Sequence, residues 1–350
     1  MKGSMRVLAA AIVMAAWASC SAAQGAGPAP AGGSKAPAVE MRIDVQPLVS
    51  CHFLLKTWQG SGDRPIPGQK TDLASEAAAY ETAKQNIKDP AVWKWFEDLV
   101  VTGPDPDAVR AAAKQLPPAL ETTANRTAVD MLVEALVSGY PKFMSGYWTE
   151  QSVALNRLLI PARRRFAQSS QRIGQALMDK MGFSSIDAPI TILVVLRAGP
   201  VSSWGKTSRG YYSVIGAYLQ SVDSFIETSV HEATHLIDAV QPAGGSWMLR
   251  DLRRSLPKEA PAESVDTFIH GLVAFNAGEL ITRFMDNTYK PVGLRGPNSR
   301  DEFAPFIPAY EGAWIAWLDG TKSRQETLGK LAEGFKAALA KKPAVPAKKK

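Results

Sequence analysis

The chain reads as an α+β fold, predominantly helical, in which a small sheet precedes a buried helix rich in metal-ligand chemistry. Three observations predict it. Across residues 75–182 apolar positions recur at helical spacing, punctuated by Pro90, Pro104 and Pro117-Pro118 as helix starts or breaks. The period then changes: residues 190–196 (ITILVVL) form a charge-free, β-rich run, and residues 211–219 form a second. A helix is expected next over residues 223–239, where Ile226, Val230, Ala233, Leu236 and Ile237 place apolar groups around His231 and His235.

From the start of the chain, Lys2 and Arg6 precede an apolar run, residues 7–17, too short for a permanent membrane span. Small residues follow it, so residues 1–23 read as a secretory signal peptide with cleavage after Ala23. Ala18-Ser19-Cys20 also resembles the end of a bacterial lipobox, with Trp17 where such boxes carry leucine. Processing there would leave Cys20 as a lipidated membrane tether. Either route predicts an exported protein, periplasmic or secreted. Residues 24–40 are rich in Ala, Gly and Pro and read as a flexible linker.

Residues 41–185 are expected to form a mainly helical N-terminal region. It opens with a strand suggested by Ile43, Val45 and Leu48, and Trp93, Trp95 and Phe96 are expected to anchor its core. Arg163-Arg164-Arg165 reads as a solvated helix face. Residues 186–340 would hold the two β-rich runs and the loop 197–210 between them. They would also hold the motif helix, a long apolar helix over 262–285, and helices near 301–318 and 324–340. Residues 341–350 form a basic tail of disordered composition. The net charge of +7 lies partly in that tail, and no nucleic-acid motif accompanies it. With Cys20 in the leader, Cys51 stands alone and reads as a buried thiol; oligomeric state is open.

The chain has only four histidines, His52, His231, His235 and His270. Two of them stand in His231-Glu232-Ala233-Thr234-His235, whose chance occurrence here is below roughly one in a hundred. On a helix, two histidines four residues apart sit about 40° apart around the axis, so both rings reach one ion. Buried and unpaired, these groups would be costly, and a metal would satisfy them. The competing reading is a pair of structural histidines.

The motif and its setting resemble the zincin metallopeptidases, over roughly residues 190–286. In that family a small sheet precedes the HExxH helix, and an edge strand beside the site pairs with extended substrate. The resemblance implies a zincin-like catalytic region with one catalytic Zn2+ and a peptide or unfolded-protein substrate. Glu232 would be the general base of a metallopeptidase, an endopeptidase, and the strand over 211–219 would take substrate by strand addition.

The metzincin continuation would require glycine and histidine where this chain has Asp238 and Gln241. The gluzincin pattern instead takes a glutamate from a later helix. Glu279, in the apolar stretch Phe275 to Phe284, is the candidate third ligand, beside a competing Glu279–Arg283 pair. Arg283 could also orient Glu279 as a ligand. Gly278 suggests close approach of another element.

His270 lies nine residues before Glu279, on the opposite side of a regular helix, and is the second choice; Glu263, Asp266 and Asp286 are further competitors. Asp238 would support a ligand or cap the helix, and Tyr289, Tyr211 and Tyr212 are candidate oxyanion donors. The alternative function is a non-catalytic metal-binding or interaction protein of the cell envelope with the same fold, and hydrolysis of a non-peptide amide is a third reading.

Overall fold

The computed structural model describes residues 40–58, 73–181, 189–196, 204–207, 210–217, 220–239, 248–291 and 301–341. The expected signal peptide, nearly all of the linker and nearly all of the basic tail lie outside them. The chain is mostly helical with one small sheet, as expected. Its elements run β1 (Met41–Asp44), α1 (Pro47–Thr57), α2 (Ala74–Asn86), α3 (Pro90–Thr102), α4 (Pro106–Ala113), α5 (Thr123–Phe143), α6 (Thr149–Ala167) and α7 (Ser170–Met181). Then come β2 (Ile190–Val195), β3 (Trp204–Thr207), β4 (Gly210–Gly216), α8 (Val222–Ala239), α9 (Met248–Ser255), α10 (Ala262–Phe284), α11 (Ile307–Leu318) and α12 (Arg324–Lys341).

Local chemistry explains many boundaries. The Asp89 carboxylate accepts from the Ala91 N–H at 2.8 Å and Asp105 from Ala108 at 2.8 Å, and each is followed by a proline in the first helical turn. Thr122 caps α5 and Ser221 caps α8 in the same way. The expected opening strand ends sooner than its apolar spacing suggested. Pro47 starts a helix, and every residue from Leu48 to Leu55 is buried, so α1 is enclosed on all sides.

The sheet has the order β1-β2-β4-β3. β1, β2 and β4 are parallel, with Met41 opposite Ile190 and Ile190 opposite Tyr211, and β3 runs antiparallel to β4. The expected loop at 197–210 therefore contains a strand, and β4 is interior where residues 204–207 cover it. Gly210, at φ 120°, holds a backbone conformation that disfavours other residues. One sheet face, formed by Leu193, Val195, Tyr212 and Val214, packs on Val49 and Phe53 of α1. The alternate residues face the other way, where Ser213 reaches α8.

α3 joins the helices to the sheet. Phe96 is fully buried while Trp93 and Trp95 pack partly exposed around it. Glu97 accepts from Lys56 at 2.6 Å and lies 3.5 Å from His52, whose Nδ1 meets the Tyr80 hydroxyl at 2.5 Å. On the next residue, Asp98 pairs with Lys94 and accepts from Tyr212 on β4 at 2.6 Å. Burial pushes the lone described thiol, Cys51, far above its ordinary range, so it is a packing group.

Candidate metal centre

Two helices build the site. α8 presents His231 and His235 one turn apart, and Ile226, Val230, Ala233, Leu236 and Ile237 are buried around them. α10 packs against α8 and brings in a third histidine, His270. The Nε2 atom of His231 lies 3.0 Å from that of His235 and 3.0 Å from that of His270. Ligand atoms of all three lie within 4.8 Å of one another. A tetrahedral ion with metal–nitrogen bonds of about 2.1 Å holds its ligand atoms roughly 3.3 Å apart. Three half-buried imidazoles converging through the same ring atom match that requirement, and a single Nε2 can donate to only one of its two neighbours.

Glu279 does not join them. It lies nine residues beyond His270 on an uninterrupted helix, so it points away from the cluster. Its carboxylate stands 3.8 Å from the Arg283 guanidinium, which also bonds Asp319 at 2.5 Å. The apolar neighbourhood that suggested a ligand is thus served by an i, i+4 cation, and Arg283 is turned to α11 rather than to the histidines. Gly278 does mark a close approach: a Cβ there would lie 2.6 Å from Pro291.

The other candidates are dispersed. The Tyr289 hydroxyl donates to Glu227, one turn before His231. Tyr212 lies on the far sheet face and donates to Asp98, whereas Tyr211 is buried on the same face as Ser213. Asp238 is half-buried near the end of α8. Asp266 pairs with Arg253 at 2.7 Å and Asp286 with Arg165 at 3.7 Å, while Glu263 starts α10.

Glu232 projects toward the sheet, where the Ser213 hydroxyl donates to it at 3.4 Å. Burial pushes its carboxyl up to about 7, and the Ser213 hydrogen bond pulls the other way. Burial, with the charges of His270 and Arg253, holds His235 down at about 4, so the ring is neutral and able to ligate at physiological pH.

Three residues around the cluster escaped sequence reasoning. Ser213 was within reach of strand alternation, but the others come from distant helices. Phe303 sets its ring edge-on to His270 with centroids 5.6 Å apart. Tyr310 donates to the Phe268 carbonyl at 2.7 Å, and Gly271 makes room for both: a Cβ would stand 2.6 Å from the Tyr310 hydroxyl and 3.0 Å from the Phe303 ring. Gly271→Ala is therefore expected to cost about 1–3 kcal/mol by overpacking beside His270, measured by urea unfolding.

No family model, curated protein or solved structure matches this chain. Among the described residues no helix is long and apolar enough to cross a membrane.

Proposed function

We propose that this chain is a zinc-dependent metallopeptidase, zincin-like in its site, exported from the cell by its N-terminal leader. The observation that carries the reading is the convergence of the His231, His235 and His270 Nε2 atoms beside Glu232. Three imidazole nitrogen donors suit zinc, and three protein ligands leave a coordination position open, the pattern of catalytic sites. His270 stands in the third-ligand role for which the gluzincin pattern suggested Glu279.

When bound, the metal supplies a Lewis acid that polarises a carbonyl and acidifies water toward neutral pH. The chain's own groups do the rest. The three rings orient the ion, and Phe303 and the Tyr310 contact hold the backbone and ring at His270. Glu232 takes a proton from the attacking water and returns it to the leaving amine, with Ser213 aligning its carboxylate. Strand addition falls to β3, which borders β4 on the side away from β2, and extended backbone is what such an edge accepts.

The test is hydrolysis of unfolded protein by the purified chain, with and without a chelator, beside Glu232→Gln. Chelation should abolish cleavage and zinc should restore it. The Glu232→Gln chain should keep its zinc yet lose activity by about 100-fold or more. Full zinc occupancy with no cleavage of diverse peptides would favour a binding protein instead.

A further inference from the structure

We propose that the outward face of α6 is an interface between two copies of this chain, paired as antiparallel helices about a twofold axis at Arg157. α6 is 19 residues long and buries Leu155, Leu158, Leu159, Ala162 and Phe166 inward, where it packs on α8. Its opposite side presents Glu150, Val153, Ala154, Arg157, Ile160 and Arg164, all exposed and spaced by threes and fours along one stripe. Val153 and Ile160 are the exposed large hydrophobics among the described residues, at 49% and 56%. A single exposed apolar residue needs no explanation, but these two share one face a heptad apart.

Charge order decides what fits that face. Arg163 and Arg165 are engaged with neighbouring elements, Arg163 with the Ile43 carbonyl and Arg165 with Asp223. Glu150, Arg157 and Arg164 make no ion pair among the described residues. Glu150 stands seven residues before Arg157 and Arg164 seven after it. Laying a second α6 antiparallel over the first, centred on residue 157, sets Glu150 of each copy opposite Arg164 of the other. It also packs Val153 of each against Ile160 and Pro161 of the other, as a self-complementary contact requires.

The axis itself brings Arg157 to Arg157, where like charges would repel. Pro161 supplies an answer. It has no N–H, so the Arg157 carbonyl lacks its usual helical donor four residues on. The guanidinium of the opposite copy can donate to that carbonyl, and the twofold makes the bond twice. An anionic membrane fits less well, because Glu150 occupies one end of the stripe and would be repelled. One helix pair covers less than the roughly 1,200 Å² of a standard interface, which places the dimer among small, transient contacts.

The experiment is sedimentation equilibrium of the full chain over a concentration series, with cysteine cross-linking under mild oxidation. Arg157→Cys should cross-link to itself. Val153→Cys should not, because its two copies lie about 12 Å apart along the axis; the parent chain is the control. Glu150→Arg and Arg164→Glu should each weaken the dimer about tenfold, and the double exchange should restore it. A chain monomeric throughout, equal cross-linking at both positions, or charge reversals that merely add would overturn the interface. Sedimentation of the monomer with anionic but not zwitterionic vesicles would overturn it in favour of lipid. None of these variants touches the metal centre, so this outcome is independent of the hydrolase reading.

Discussion

Replacing His270 with alanine lowers the zinc affinity of the full chain by at least about 100-fold, whereas Glu279→Gln leaves it within about threefold. The contrast follows from the cluster. His270 Nε2 lies 3.0 Å from His231 Nε2, while Glu279 faces Arg283 on the other side of α10. The measurement is a competition titration against a chromogenic chelator, with the fold of each variant checked by circular dichroism. Removing a ligand from a three-nitrogen site leaves two donors and more water. Removing the Glu279 charge leaves Arg283 still paired with Asp319. If Glu279→Gln lost zinc and His270→Ala kept it, the gluzincin arrangement would replace the one described.

Glu97→Ala destabilises the chain by about 3 kcal/mol, because it strands the Lys56 ammonium and the His52 ring around a buried position. The same group sets an acid dependence. Burial raises the Glu97 carboxyl, but the hydrogen bond and charge of His52, with Lys56, outweigh it and bring it from 4.5 to about 2. A carboxylate depressed on folding contributes stability that is complete above its unfolded value and is lost as pH falls from about 4.5 to 2. Burial also lowers His52 from 6.5, so the unfolded chain takes up that proton first as pH falls below 6.5. Both groups therefore weaken the fold in acid. Urea midpoints between pH 7 and 3 should fall for the parent chain and fall less for Glu97→Ala; parallel curves would show that the network does not drive acid sensitivity.

The sequence made some of this legible and hid the rest for physical reasons. The order of two strands and a motif helix could be read because β2 is a charge-free run and α8 keeps its apolar period around His231 and His235. Prolines 90 and 118 announced real starts. Glu279 was preferred to His270 because it looked costly where it lies, and only the fold shows Arg283 beside it, with Asp319 as the second partner of that guanidinium. β3 was missed because four residues that include Gly205 carry no strand period of their own. Its pairing comes from β4, not from local propensity. Phe303 and Tyr310 come from elements more than thirty residues past His270, beyond any local pattern.

The pairing of Met41 with Ile190 has a consequence for the order in which the molecule forms. The first strand must wait for almost 150 intervening residues before its neighbour exists, while the helices between them close through local contacts. Loop closure of that length slows sheet formation. The helical layer should thus be assembled first and the strands zipped last. Until β2 arrives, the backbone donors and acceptors of β1 have no ladder, and the shortness of the strand and the charges of Arg42 and Asp44 are what keep that edge from pairing with other chains.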